Sequence, residues 1–291
     1  MRVCGFTFIR NARKYGYPVV ESIRSILPVC DKLIVAAGNS DDDTLSMIQS
    51  IGDKKIEIIQ TIWDDNLRAG GTVLTVETNK AFDAIPAGYD WCFYIQGDEV
   101  IHEKYLETIR SSMEKYLSVP EVEGLLFNYK HFYGSYRYVA DSRSWYRKEI
   151  RIIRNDKSIR SFKDAQGFRK NGKKLKVKQI QASVYHYGWV RPPQLMQDKV
   201  KDFHALWHSD DWIKKNTDTS ELFDYTQVDS IEVFKESHPA VMQSRISESD
   251  WDIELDTRKK NLKWMERMLY KIEKHTGYRM FEYKNYSEVR S

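Results

Sequence analysis

The stretch "DWCFYIQGDEVIHE", Asp90–Glu103, is the part of the sequence that says most about the fold. Its apolar run, Trp91–Ile95, is typical of a buried strand, and two adjacent carboxylates, Asp98 and Glu99, follow it closely. Adjacent carboxylates repel each other and lose water at the end of such a strand. One interpretation is that they begin a helix, whose N-terminus favours negative charge. The other is that Asp98 binds Mg²⁺ or Mn²⁺, which prefer oxygen ligands.

Strands and helices alternate on both sides of this stretch. The predicted strands are "RVCGFTFI", "DKLIVAA", "KKIEIIQTI", "DWCFYI", "EGLLFNYKHFY" and "EIRIIRN". The predicted helices between them are "YPVVESIRSILPVC", a helix after "GNSDDDT", "GGTVLTVETNKAFDAI" and "HEKYLETIRSSMEKYL". This alternation predicts an open α/β sheet with helices on both faces, in which ligands bind at the carboxyl ends of the strands. The polar clusters "RNARKYG", "GNSDDDT" and "QGDE" all fall at those ends.

Composition places the chain among globular proteins of reducing compartments. It has 291 residues, of which 41% are hydrophobic and 30% charged, and no apolar stretch approaches the length of a membrane span. The opening residues "MRVCGFTFIRN" are too short and too soon charged for a secretory signal. Cys4, Cys30 and Cys92 lie in or beside apolar runs without metal-ligand spacing, which predicts reduced core thiols and a cytoplasmic location.

Positive charge is concentrated between Arg143 and Lys178. This tract holds fourteen Lys or Arg against three acids, an excess of eleven in a chain whose net charge is +4. It is either a solvated face or a surface for phosphates, an anionic acceptor or a membrane. Its interleaved aromatic residues, such as Trp145 and Phe162, also allow stacking with single-stranded nucleic acid.

The chain changes character near Arg191. We predict a first domain over residues 1–190 and a mainly helical C-terminal extension over 191–291 that packs on it. Leu255, Leu262, Met265 and Leu269 recur at helical spacing, which predicts a helix whose apolar stripe joins the core.

The order of three stretches, "FIRN", "YPVVESIRSILPVCDKLIVAAGNSDDDT" and "DWCFYIQGDE", resembles a family 2 glycosyltransferase with the GT-A fold. The resemblance covers roughly residues 1–190. It implies a GT-A-like open mixed sheet flanked by helices, the nucleotide-diphospho-sugar transferase type. It also implies that the "SDDDT" turn, Ser40–Thr44, holds a nucleotide. In the family's Asp-x-Asp metal motif Gln96 replaces the first Asp, whereas Asp98 keeps the second; Ala37 and Gly38 replace an Asp that contacts the base in many relatives.

The resemblance also implies roles for individual residues. Asp98 and the late His186 would ligate Mn²⁺ or Mg²⁺. Asp164, the only carboxylate between Lys157 and Lys178, would be the catalytic base. The expected donor-binding residues are Arg10, Asn11, Asn39, Asp41, Arg68, Gln96 and Arg191.

The function implied is that of a hexosyltransferase of polysaccharide biosynthesis. It would be inverting and metal dependent, and would move a sugar from a nucleoside-diphosphate donor to a glycan or lipid-linked acceptor. Uridine diphosphate (UDP) or guanosine diphosphate (GDP) is the favoured nucleotide. A peripheral membrane contact is included in the prediction and a stable nucleic acid partner is not. Two alternatives stay open: a nucleotidylyltransferase, although "FIRNARKYG" has no glycine-rich phosphate loop, and a non-catalytic anion- or nucleic-acid-binding protein on a degenerate GT-A scaffold.

Overall fold

The computed structural model describes residues 1–67, 69–205, 207, 212, 215 and 220–289. The strands are β1 Val3–Ile9, β2 Lys32–Ala37, β3 Ile56–Gln60, β4 Trp91–Tyr94, β5 Glu99–Ile101, β6 Gly124–Gly134, β7 Tyr138–Ala140, β8 Lys148–Arg154, β9 Ile159–Phe162, β10 Gly167–Lys170, β11 Lys173–Lys174, β12 Lys176–Val190, β13 Ile231–Val233 and β14 Ser287–Glu288. The helices are α1 Val19–Ile26, α2 Thr44–Gln49, α3 Thr72–Asp83, α4 Leu106–Lys115, α5 Pro193–Ala205, α6 Gln243–Ser247 and α7 Trp264–Thr276.

The main sheet is open and mixed, as the sequence predicts. Its strands follow the order β13-β7-β6-β8-β4-β1-β2-β3, and β12 pairs with β6, β5 and β14. Strand β1 runs parallel to β2 and β4, whereas β8 runs antiparallel to β4. The carboxyl ends of β1, β2 and β4 therefore meet at one edge of the sheet, with their three polar clusters beside each other. The predicted open mixed sheet flanked by helices is confirmed by this topology.

Helices cover both faces of the sheet, and β1 shows why. Val3 and Ile9 pack in the layer that contains α1 and α4, whereas Cys4, Phe6 and Phe8 pack in the layer that contains α3. This alternation follows from the two-residue period of a strand. The three cysteines are free and buried, which confirms that they are core thiols without disulfides.

The residues after 190 supply helices and two short strands that join the main sheet. The predicted helix through Leu255 is wrong, because α7 begins at Trp264 and Leu255 lies before it in an apolar cluster with Tyr138 and Tyr225. Leu255 is buried because it packs against residues of the sheet, not because it lies on the apolar face of a helix. The division at residue 190 stays a prediction. Among the described residues, no helix has both the length and the apolar character that crossing a bilayer requires.

The basic tract is largely occupied by contacts within the chain. Arg143 and Arg147 pair with acids of the C-terminal part, Arg151 pairs with Glu99, and Arg154 donates to backbone carbonyls. Further cations of the tract bond to described groups of their own chain: Lys157, Arg160, Arg169 and Lys170. Of its aromatic residues, Phe168 is buried. Most cations of the tract are therefore committed to contacts within the chain, whereas Lys173 and Lys176 near its end are exposed.

Candidate functional site

Asp98 and Glu99 avoid mutual repulsion because they have different surroundings. Glu99 is fully buried, and its carboxylate accepts from Arg151 Nε at 2.8 Å, from Arg151 Nη2 at 2.7 Å and from the hydroxyl of Tyr129. Glu99 begins strand β5, and α4 starts only at Leu106, so the interpretation of Glu99 as a helix start is wrong. Asp98 instead lines a pocket.

Sheet pairing brings Asp98 beside His186. Strand β5 runs antiparallel to β12, with His186 opposite Glu99, and the Tyr187 N–H donates to the Asp98 carbonyl at 2.8 Å. The Asp98 Oδ2 and His186 Nε2 atoms lie 3.5 Å apart. Both side chains line the same pocket, so the structure brings the two predicted metal ligands together.

A second histidine fixes which nitrogen of His186 faces Asp98. His131 Nε2 lies 2.8 Å from the Tyr146 carbonyl, which can only accept, so this nitrogen carries hydrogen. Burial and the neighbouring His186 hold the pKa of His131 well below its usual range, so His131 is neutral and its Nδ1 accepts. His186 Nδ1, 3.1 Å away, is then the donor. The other ring nitrogen of His186, Nε2, is left on the Asp98 side, where it is the atom that could ligate a metal.

The donor set fits a divalent cation that keeps water and phosphate ligands. Asp98 supplies a carboxylate and His186 an imidazole, and among the described residues no group of three His, Cys, Asp or Glu is assembled. Space between the two donors depends on Gly188, because a Cβ there would lie 2.5 Å from His186 Nε2 and 2.7 Å from Asp98 Oδ2. Mg²⁺ and Mn²⁺ sites often have few protein ligands and are completed by substrate phosphates.

Two cations stand near Asp98. Arg191 is 1% exposed, and its Nε, Nη1 and Nη2 find no hydrogen-bond partner of normal geometry among the described residues. Its guanidinium lies 5.0 Å from the ring of Tyr17 and opposes the rise in the pKa of Tyr17 that burial causes. Lys199 Nζ donates to the Gly188 carbonyl at 2.8 Å. Burial and Arg191 together lower the pKa of Lys199 to about 7. Burial would raise the pKa of Asp98, but His186, Lys199 and Arg191 outweigh it and hold that pKa below its usual range.

Lys199 was not among the predicted site residues. It lies on α5 between Met196, Val200 and Phe203, all of which line the pocket. These positions share one face of the helix at spacings of three, four and seven residues. A lysine inside an apolar stripe is the signal that could have identified it.

The loop after β1 is fastened to the "SDDDT" turn. Asn11 has a left-handed backbone, with φ of 56°; its N–H donates to Ser40 Oγ at 3.0 Å and its Oδ1 accepts from the Asp41 N–H at 2.9 Å. Arg10 donates from Nε to the Asn39 carbonyl at 3.2 Å and pairs with Asp65 at 2.6 Å. These bonds hold the loop after β1 and the "SDDDT" turn together on one side of the pocket.

The pocket has a volume of about 730 Å³. Seven predicted site residues line it: Arg10, Asn11, Asp41, Gln96, Asp98, Asp164 and His186. Asn39 is not a lining residue, because its Oδ1 accepts from the Trp63 N–H within the wall. Arg191 is not a lining residue either, but its guanidinium lies 5.0 Å from the ring of Tyr17, which is one. Arg68 lies outside the described residues.

Asp164 sits on a strained turn at the pocket. Lys163 and Ala165 on either side have left-handed φ values of 57° and 62°. Thr75 holds the turn, since its hydroxyl donates to the Lys163 carbonyl and accepts from the Ala165 N–H. Gln96 Nε2 donates to Tyr94 Oη at 3.2 Å and makes a long contact of 3.5 Å to the Ala165 carbonyl. Burial raises the pKa of Asp164, and the opposing effects of backbone N–H groups and Lys163 do not cancel it.

No protein-family model matches the chain, and no curated protein matches it in sequence. Among solved structures it is similar to TarS 1–349 of S. aureus, with 13% identity, 76% of this chain and 67% of that chain covered, and a TM-score of 0.39. It is also similar to glucosyl-3-phosphoglycerate synthase from Mycobacterium tuberculosis, crystallised with Mn²⁺, UDP and phosphoglyceric acid. There the identity is 18%, the coverage 45% of this chain and 43% of that chain, and the TM-score 0.31. For mannosyl-3-phosphoglycerate synthase from Rubrobacter xylanophilus the identity is 17%, the coverage 45% of this chain and 41% of that chain, and the TM-score 0.32. The chain thus spans less than half the length of either synthase.

Proposed function

We propose that this protein is a glycosyltransferase that moves a hexosyl group from a nucleoside-diphosphate sugar to an acceptor hydroxyl. The observation that carries the proposal is the buried Arg191, which has no hydrogen-bond partner among the described residues and influences Asp98 at the pocket. A buried charge without a partner is costly, and a diphosphate is a ligand that would offset that cost.

The donor would lie along the side of the pocket formed by the loop after β1 and the "SDDDT" turn. Arg10, Asn11 and Asp41 would face the nucleotide and Lys199 its diphosphate, which Arg191 would approach from its position beside Tyr17. Asp98 and His186 would hold Mn²⁺ or Mg²⁺, which when bound offsets charge on the departing nucleoside diphosphate. We also propose that residues 191–291 complete a site built mainly by residues 1–190, because both Arg191 and Lys199 come from the later part.

Asp164 would remove the proton from the acceptor hydroxyl as it attacks the anomeric carbon, with inversion at that carbon. A raised pKa suits this role, since it makes the carboxylate a stronger base. The turn held by Thr75 restricts where the carboxylate can point. The acceptor would be a glycan or a lipid-linked acceptor, of which only this hydroxyl takes part in the step.

The alternatives lack matching features. A nucleotidylyltransferase needs a phosphate-cradling loop after the first strand, but here that loop is bonded to the "SDDDT" turn and Arg10 is paired with Asp65. A degenerate scaffold would have no need for the adjacent Asp98 and His186 or for the space that Gly188 leaves between them.

The test is release of UDP or GDP from a panel of nucleoside-diphosphate hexoses, with and without Mn²⁺, by wild type, Asp164→Asn and Asp98→Asn. We expect Asp164→Asn to lower the rate by about 10²- to 10⁴-fold with nucleotide affinity unchanged. Asp98→Asn should abolish the dependence of binding on metal. Asp156→Asn is the matched control, because Asp156 belongs to the same basic tract but is not among the residues that line the pocket. Pyrophosphate release from a nucleoside triphosphate would favour the nucleotidylyltransferase instead.

A further inference from the structure

Apolar side chains are unusually exposed at the C-terminal end of the described chain. Trp264 is 74% exposed, Met268 48% and Phe281 86%. Most of the large hydrophobic residues that are exposed in the described part of the chain belong to α7 and the segment after it: Trp264, Met265, Met268, Tyr278, Phe281 and Tyr283. The predicted core-packing role of this helix is therefore wrong, since none of its residues is buried.

The contacts of α7 show which of its sides faces the protein. Tyr270 donates to Asp141 at 2.5 Å, and Glu273 pairs with Arg143 and Arg279. At 100° per residue, Trp264, Met268 and Lys271 project from the opposite side of the helix. The outward face therefore combines apolar groups with a cation.

The charged side chains of this segment are also divided between an inward and an outward side. Residues 258–284 contain nine Lys or Arg and three acids. Two of these acids, Glu273 and Glu282, point inward, where they pair with arginines. The third, Glu266, accepts from the Lys263 N–H and so caps the helix. Exposed cations remain around the apolar face: Lys259, Lys263, Arg267 and Lys271.

Phe281 adds a separate observation. Its φ of 57° is left-handed, a costly conformation for a bulky side chain, and yet its ring is left in solvent. No burial of the ring offsets this strain within the described structure.

We propose that the outward face of α7 together with residues 278–284 docks on an anionic membrane surface. Trp, Tyr, Phe and Met side chains enter the interfacial layer, and the surrounding lysines and arginine lie against anionic headgroups. A second copy of the chain is a poor occupant of this surface. In a two-fold contact the cations of one copy would lie close to the same cations of the other copy and repel them. The proposal does not depend on the sugar-transfer reaction.

The test is co-sedimentation of the full chain with vesicles of phosphatidylcholine alone and of phosphatidylcholine mixed with phosphatidylglycerol. We expect binding only to the mixed vesicles, weakened by salt, and at least about tenfold weaker for the triple variant Trp264→Ser, Met268→Ser, Phe281→Ser. The matched control is Ile62→Ser, Leu222→Ser, which removes apolar groups that are 78% and 59% exposed elsewhere. Because all these positions are exposed, melting temperatures should be unchanged.

Absence of binding to either vesicle, or equal binding to both, would overturn the proposal. So would equal losses in the triple variant and the control. Sedimentation equilibrium supplies the remaining outcome: a wild-type dimer that the triple variant loses would assign the surface to self-association instead of lipid.

Discussion

Two arginines of this protein are almost equally buried and have opposite surroundings. Arg151 and Arg191 are each 1% exposed. Arg151 is bound in two places by Glu99, donates to the Ile150 carbonyl and stands 5.2 Å from the rings of Tyr94 and Tyr129. Arg191 has no hydrogen-bond partner among the described residues. The difference separates a cation that belongs to the fold from one for which we propose a partner outside the chain.

The largest effect is expected for Arg151→Met. This change leaves the Glu99 carboxylate buried without its cation, and breaking such a pair costs about 3–5 kcal/mol. Urea unfolding should therefore show a large fall in the free energy of unfolding. The double variant Arg151→Met, Glu99→Leu should recover much of that loss, because it removes the unpaired charge. If the single variant were as stable as wild type, Arg151 would not be structural and the contrast would fail.

A smaller effect is expected for Gly188→Ala, which adds a methyl group between Asp98 and His186 without changing any charge. Displacing both donors should weaken Mn²⁺ binding by roughly 10- to 100-fold, the range found when ligand-orienting contacts are lost. Titration of Mn²⁺ by electron paramagnetic resonance measures this directly. Gly172→Ala is the control: its φ of 75° strains an alanine there, but nothing described lies within 4 Å of its Cβ position, so stability should fall with Mn²⁺ affinity unchanged. Unchanged Mn²⁺ affinity in Gly188→Ala would show that the metal does not bind between Asp98 and His186.

For Arg191→Met the expected change in stability has the opposite sign to that of Arg151→Met. Without nucleotide, removing a buried charge that lacks partners should raise the free energy of unfolding, by about 1–3 kcal/mol if the desolvation cost is fully relieved. The same urea experiment compares the two variants. A loss of stability as large as that of Arg151→Met would mean that Arg191 has a structural partner after all.

The smallest effect concerns pH and Lys199. Its pKa of about 7 lies far below the ordinary value, so the amine loses its proton as pH rises above 7. A bound diphosphate favours the charged amine, so nucleotide binding takes up a proton and affinity falls as pH rises, by at most about tenfold per unit. Calorimetry between pH 7 and 9 should show this slope in wild type and not in Lys199→Met. Equal slopes in both proteins would exclude Lys199 from the diphosphate site.

Local patterns were enough to predict much of this molecule. The alternation of apolar runs predicts the strands and helices from β1 to β4 and the later α4, but not the short β5 between them, and the strand ends identify Asp98 as a pocket residue. The resemblance implies a role for the late His186, and the pairing of β5 with β12 brings it to Asp98.

What the sequence could not predict depends on distant pairing. Glu99 meets Arg151, 52 residues away, because β8 lies beside β4 and β6. His131 meets His186 through the pairing of β6 with β12. Lys199 reaches Gly188 only once α5 folds back over the sheet end. The sequence carries no signal of which residues these groups meet: the apolar stripe marks the position of Lys199 but not its contact with Gly188, and nothing local to Arg151 indicates its pairing with Glu99.

The central claim is that Arg191 is kept without a partner for the diphosphate of a nucleotide sugar. The most direct measurement is calorimetric titration of UDP and GDP, with Mn²⁺ present, into wild type and Arg191→Met at pH 7. The account predicts that at least one nucleotide binds the wild type and that the variant binds it about 10- to 100-fold more weakly, the loss expected for hydrogen bonds to a charged group. Equal affinity in the two proteins, or binding of neither nucleotide by wild type, would contradict it.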